Sequence, residues 1–169
     1  MSITAMIITL AFVNGFQEKV ADKIFGFWGH IRVQKYETGK SLISEELPLT
    51  KNKAIEEIIA ATPGVVSYQS FATKSAVLES NTEIEGVLIK GIEKNENHTA
   101  LKKFLVKGRW MDFSGSMYSK ETIVSDAVAK QLQIKINDTI KVHFVSTNAD
   151  AQKTYRKLVV VGLYHTGID

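Results

Sequence analysis

Histidine is the side chain most able to hold a metal or move a proton near neutral pH, and the chain has four, at His30, His98, His143 and His165. No two stand i,i+2 on a strand or i,i+4 on a helix, the spacings that aim two imidazoles at one ion. Cysteine is absent, which removes thiolate ligands, disulfides and a cysteine nucleophile together. Ser114-Gly115-Ser116 lacks the strand-to-helix flanks of a nucleophile elbow. Gly86 and Gly91 fall inside one apolar run instead of between a strand and a helix, so they build no phosphate loop. Glu83 and Glu85 project to one face of a strand and could form an acid pair, although such residues are more often a solvated edge. Asn97-His98-Thr99 and Asn137-Asp138-Thr139 match the glycosylation acceptor pattern, a three-residue match that arises often by chance. No catalytic, metal-binding or cofactor-binding set is expected, and the chain does not read as an enzyme.

The stronger signal is a segment that reads as one helix passing between two solvents. From Ile3 to Val13 the residues are apolar on every side, with only Thr4 and Thr9 polar. Beyond Asn14 the pattern becomes amphipathic: Phe12, Phe16, Val20 and Ile24 recur every four residues, and Gln17, Glu18, Lys19, Asp22 and Lys23 fill the other face. A spanning helix needs about 20 apolar residues, more than this run supplies. The expectation is the outer end of a membrane helix, cut within the span, followed by a stalk from Asn14 to Phe27. A buried core helix and the apolar part of a signal peptide are the alternatives. The second fits poorly, because no basic region precedes the run and Val13-Asn14-Gly15 is a weak cleavage site. Gly15 stands where bilayer would meet water, either as a flexible point or as a site of close helix packing.

The remaining residues suit an ordinary domain. The chain of 169 residues is long enough for one domain or two small lobes, and its 44% hydrophobic and 23% charged residues are globular values. Its net charge of +3 is scattered, with basic pairs only at Lys102-Lys103 and Arg156-Lys157, so no nucleic-acid footprint is present.

Along the chain, His30 to Tyr36 alternates like a short strand, and Thr38 to Pro48 reads as a surface loop. Thr50 is the expected cap of a helix whose apolar face is Ala54, Ile55, Ile58 and Ile59, ended by Pro63-Gly64. Two strands follow, Val65 to Leu78 and Thr82 to Ile92, with Ala76, Leu78, Ile84 and Val87-Leu88-Ile89 as buried candidates. A polar stretch from Glu93 to His98 marks the best lobe boundary. Ala100 to Val106 suggests a short helix, with a turn at Lys107-Gly108-Arg109. Ile123-Val124 is a brief strand, and Ser125 caps a helix with Ala127, Val128 and Leu132 inward. Asn137-Asp138 turns into a strand from Thr139 to Val145, Ser146 to Lys153 is a polar connection, and Tyr155 to Tyr164 is a strongly apolar strand. Interleaved elements without regular βαβ units predict an α+β fold.

Several stretches in order carry a family likeness: Asn14 to Phe16 (NGF), Lys23 to Val33 (KIFGFWGHIRV), Ala61 to Val65 (ATPGV) and Gly86 to Ile92 (GVLIKGI). They continue with Lys107 to Trp110 (KGRW), Ile123 to Val142 (IVSDAVAKQLQIKINDTIKV) and VVVGLYHTGID at the end. The chain resembles the extracytoplasmic domain of FtsX-like ABC transporter permeases, above all the lipoprotein-releasing permeases, with macrolide-export permeases as cousins. The likeness covers essentially the whole chain.

This resemblance implies a two-lobed periplasmic domain of an inner-membrane permease. Residues 1–27 would end the first membrane helix and form the stalk. Residues 28–96 and 154–169 would form a porter-like lobe, and 97–153 a smaller inserted lobe. It implies no cofactor. The partners would be a cytoplasmic ABC ATPase subunit, a second permease subunit, identical or different, and a periplasmic lipoprotein carrier or lipoprotein cargo. Stalk residues Gly15, Phe16, Val20 and Ile24 would carry movement driven by ATP to the domain. In the family member that recruits the carrier, a long proline-containing hairpin before the last strand hooks it. The matching stretch here, Ser146 to Lys153, is short, polar and proline-free. That puts carrier docking in question and leaves a homodimeric or non-docking subunit equally open. The residues able to meet a partner are Ser146, Asn148 and Asp150 in that stretch, and Tyr155 and Arg156 at its base. Two other readings of the chain stand beside this one: a signalling domain acting on a cell-wall hydrolase, and a soluble binding module. Asn137 replaces the family's usual glycine before Asp138, and asparagine also tolerates the left-handed conformation.

Overall fold

The computed structural model describes residues 2–35, 48–80, 83–115, 118–145 and 155–167. Its elements are α1 (Ser2–Trp28), α2 (Lys53–Ala61), β1 (Phe71–Glu79), β2 (Ile84–Ile92), α3 (Thr99–Lys102), β3 (Leu105–Gly108), β4 (Glu121–Ser125), α4 (Asp126–Gln131), β5 (Thr139–Phe144) and β6 (Tyr155–Tyr164). The fold is α+β. The six strands make one sheet in the order β2-β1-β5-β6-β3, with β4 also pairing β6. Only the β4–β6 pairing is parallel.

The β-branched run at the centre of β6 explains its place in the sheet. Its first half pairs with β5, from His143↔Tyr155 to Thr139↔Val159. Its second half lies between β3 and β4. Beneath the sheet, α4 and the segment after it cover Ala76, Leu78, Val124, Ile140, Val142 and Val160 with Ala129, Leu132 and Ile134. Two backbone positions with positive φ enforce this arrangement. Asn137 adopts φ 75°, the left-handed value expected of it, and its N–H donates to Val160 O at 2.7 Å. Gly108 has φ 82°, and a Cβ there would stand 2.8 Å from Gly162 Cα, so only glycine fits.

The expected strand at Ile123-Val124, the helix capped by Ser125 and the strands at Thr139 and Tyr155 are present. The connection from Ser146 to Lys153 lies outside the described residues, and several earlier elements shift. The residues from His30 to Lys35 form no strand, because the chain turns at Gly29 (φ 90°) and no neighbouring strand pairs with them. Tyr36 lies outside the described residues, as does nearly all of the expected loop from Thr38 to Pro48. Asn52, not Thr50, caps α2, its Oδ1 accepting from Ala54 N at 3.0 Å. That helix buries nothing completely: Ile55 and Ile59 are half-covered, whereas Ala54 is exposed and Ile58 is 67% exposed. The first strand begins at Phe71, leaving Val65 and Val66 exposed. Ile84 and Leu88 are exposed because alternation along β2 turns them away from the face on which Val87 and Ile89 meet the core. The short helix after His98 stops at Lys102, and Lys107-Gly108 belong to β3 instead of a turn. In α4 the buried residue is Ala129, while Ala127 faces outward. The sheet also crosses the expected lobe boundary at residue 96, since β1 pairs with β5 from Ala76↔Phe144 to Glu79↔Lys141.

α1 is helical for 27 residues, and every residue from Ile3 to Lys19 is exposed. No helix among the described residues is long and apolar enough to cross a membrane. The C-terminal end of α1 is built into the domain, where the Lys23 side chain lies against Gly167. Phe27 stacks on Tyr164 at 5.5 Å and meets Phe104 edge-on at 6.0 Å, and Trp28 meets Phe71 at 6.2 Å. Aromatic pairs of this kind contribute about 0.5–1.5 kcal/mol each beyond their area.

Two stability predictions follow from this packing. Removing residues 1–13 should shift the thermal midpoint by less than about 2 °C, because the side chains from Ile3 to Val13 are exposed. A larger loss in a thermal melt would make the segment part of the core. Leu132, 1% exposed, should cost about 2–5 kcal/mol on replacement by alanine. Ile58→Ala should cost less than about 0.5 kcal/mol. Urea denaturation of the two variants side by side checks the contrast.

Candidate partner-binding surface

Tyr155, Arg156 and Lys157 open β6 at the end of the sheet where the core gives out, and all three are exposed. The parallel pairing of β4 brings a second segment beside them, with Val159 N–H donating to Lys120 O at 2.8 Å. Together Tyr118, Lys120, Tyr155, Arg156, Lys157 and Leu158 line a shallow recess of about 270 Å³. The Arg156 guanidinium lies 4.9 Å over the Tyr118 ring. Three basic groups, two tyrosines and no carboxylate make this lining suited to an acidic, partly apolar partner. Tyrosine and arginine are also the side chains that most often anchor interfaces.

Two ionic clusters hold the recess in shape. Arg109 Nη1 donates to Glu121 Oε2 at 2.8 Å, the other guanidinium nitrogen engages Glu121 Oε1, and Asp112 N–H adds a bond to Oε2 at 2.7 Å. This pins both ends of the excursion that presents Tyr118, and the Arg109 contact holds the Glu121 carboxyl below the usual carboxylate range. On the other side Glu79 accepts from Lys141 at 2.5 Å and engages His143 Nε2 at 2.6 Å. The His143 ring then lies 5.7 Å from that of Tyr155.

Of the residues expected to meet a partner, Tyr155 and Arg156 sit together at this recess. Ser146, Asn148 and Asp150 lie outside the described residues. Tyr118 and Lys120 were not anticipated, since only the long-range β4–β6 register brings them close. The stalk residues Gly15, Phe16, Val20 and Ile24 all lie on α1, and no heavy atom outside the helix stands within 4 Å of a Cβ placed on Gly15.

The described histidines and acidic residues outside this recess lie in local pairs or apart. His143 pairs with Glu79 and His165 with Asp126, at 3.0 Å, on separate parts of the sheet. His98 is buried beside Trp110 and Phe113. Among the described residues no group of three or more His, Asp or Glu side chains could share a metal ion. Glu85 accepts from Gln131 Nε2 at 2.5 Å, a tie from β2 to α4.

The Glu79 cluster predicts acid sensitivity. The Lys141 hydrogen bond, then that from His143, holds the Glu79 carboxyl below its ordinary value of 4.5. A carboxylate with a lowered folded pKa stabilises the fold above that ordinary value and loses its contribution as pH falls through the folded one. Glu79→Gln should therefore be less stable than the parent at about pH 6 and approach it at about pH 3. Thermal melts across that range check this, and a difference that does not change with pH would count against it.

Comparison with known proteins now gives the family. Residues 1–168 match the model of the MacB-like periplasmic core domain. The chain is 29% identical over 146 residues to the lipoprotein-releasing system transmembrane protein LolC of Buchnera aphidicola subsp. Schizaphis graminum, covering 82% of this chain and 32% of that protein. It is 20% identical over 156 residues to LolE of Haemophilus influenzae, covering 90% and 35%. It is 22% identical over 173 residues to LolC of Neisseria meningitidis serogroup B, covering 99% and 39%. The chain thus spans about a third of the length of these relatives. It belongs to the MacB-like periplasmic core domain family, as the resemblance to FtsX-like ABC permeases implied.

Proposed function

We propose, with that membership as the premise, that this chain is the extracytoplasmic domain of an inner-membrane ABC permease acting in lipoprotein release. The domain is a coupling part and not a catalyst. ATP hydrolysis belongs to a separate cytoplasmic subunit, and a second permease subunit completes the transporter. α1 carries the resulting movement to the sheet, which displaces a lipoprotein or passes it to a soluble carrier. The form of α1 supports this reading best: it is a long helix, exposed from Ile3 to Lys19 and joined to the domain near its C-terminal end. Such a shape suits a lever. The porter-like lobe (28–96 and 154–169) and the inserted lobe (97–153) belong to the same proposal. Sharing the β1–β5 pairing, they would move as one unit.

The basic, tyrosine-lined recess is the proposed contact for the carrier, through an acidic patch on the carrier's surface. In the full-length permease, Tyr155→Ala should weaken carrier binding about tenfold, equivalent to about 1.4 kcal/mol. Replacing Asn148 to Gln152 with a Gly-Ser linker should weaken it less. Biolayer interferometry with the purified carrier decides the order. The reverse order would place the anchor in the polar connection, and no effect from either change would remove this surface from the interface. ATP-dependent release of a lipoprotein from proteoliposomes tests the broader reading, which fails if the permease and its ATPase release nothing.

A further inference from the structure

Lys90, on the edge strand β2, has no carboxylate beside it among the described residues. Its half-buried ammonium donates to the carbonyl oxygen of Phe27 at 2.6 Å. The same nitrogen lies 5.0 Å from the ring centre of Phe27, 5.2 Å from that of Trp28 and 4.9 Å from that of Phe71. Three aromatic rings and one carbonyl therefore take the place of part of its water. Burial pushes the Lys90 pKa down, and the nearby Arg32 guanidinium adds to the effect. A lysine is an expensive way to fill an apolar gap, so its placement requires a compensating interaction.

The Phe27 carbonyl supplies that interaction. It belongs to the last turn of α1, where carbonyls lack an intrahelical partner and the helix dipole is negative. The cation therefore caps the end of the helix from the neighbouring sheet. The surrounding contacts come from all parts of the domain: Phe71 from β1, Phe104 after α3 and Tyr164 at the end of β6. A Cβ on Gly26 would meet the Phe104 ring at 3.0 Å, so the helix approaches as closely as it can.

We propose that Lys90 is the positioning residue that fixes the direction of α1 against the sheet, joining the last turn of the helix to β2 as one rigid body. Movement of α1 then reaches the sheet instead of being lost in bending around residue 28. The transport consequence rests on the coupling reading given above, but the clamp itself does not.

The test uses two spin labels on the 169-residue chain, whose lack of cysteine makes introduced cysteines the only attachment points. Lys19→Cys on α1 and Ala72→Cys on β1 are both at exposed positions. Double electron–electron resonance should give a narrow distance distribution with Lys90 present. Lys90→Met keeps the apolar stem but removes the charge and the donor, and should broaden the distribution at least about twofold with little change in thermal midpoint. Lys90→Arg, which restores a cation and a donor, should narrow it again. An unchanged width in Lys90→Met overturns the clamp. If that variant does not fold, Trp28→Leu opens one wall of the cage and must broaden the distribution, or the proposal fails. In the full-length permease, Lys90→Met should lower lipoprotein released per ATP hydrolysed. Broadened distances with unchanged release would uphold the clamp and reject the coupling reading.

Discussion

Val160 and Val161 are both buried, Val160 within the main core cluster, and strands pair along both edges of β6 at this point, so the centre of the strand is enclosed by packing and by pairing. That enclosure is the constraint on which the other parts depend. β5 takes one edge of the strand's first half, and β3 and β4 take the two edges of its second half. Gly162 stands where the crowding is greatest: a Cβ there would lie 2.7 Å from Arg109 O and 2.8 Å from Leu105 Cδ1. A strand so enclosed cannot slip by one residue without exposing its apolar set. Its register therefore fixes where every neighbouring strand must lie.

Because β6 is held so firmly, its two ends can serve different tasks. Its first residues project past the core and contribute Tyr155, Arg156 and Lys157 to the basic recess. Its last residue, Tyr164, receives the stacked ring of Phe27 where α1 meets the domain. Ten residues of extended chain separate these ends by about 30 Å. The recess and the helix joint thus lie at opposite ends of a single strand.

Those parts of the fold that depend on local chemistry were legible in the sequence. The β-branched run of β6, the Ser125 cap donated to by Val128 N–H at 3.2 Å, and the left-handed Asn137 each declare themselves within a few residues. The apolar pattern of α1 was equally plain. What stayed hidden required knowledge of pairing across the chain. The alternation at His30 to Lys35 imitates a strand, yet a strand needs a neighbour, and no local signal says whether one exists. Ile84 and Leu88 look as buried as Val87 and Ile89 until the face of β2 that meets the core is known. Tyr118 and Lys120 could not be joined to Tyr155 without the parallel register of β4, which runs between segments about as far apart as the elements themselves. Lys90 gave no sign at all, since one lysine in an apolar strand is commonplace.

The character of the helix joint also follows from the kind of force available. Packing Phe27, Trp28, Phe71, Phe104 and Tyr164 together removes apolar area from water, and that gain is nearly independent of direction. Rings alone would hold the helix end to the sheet while allowing it to tilt. A hydrogen bond weakens steeply as its angle departs from linearity, so the 2.6 Å contact from Lys90 to the Phe27 carbonyl adds the orientation that packing lacks. The cation remains tolerable there because the quadrupoles of three rings face it, a contact that strengthens as water is excluded. Affinity and direction are thus supplied by different groups at the same point, the rings holding the helix end and the lysine orienting it.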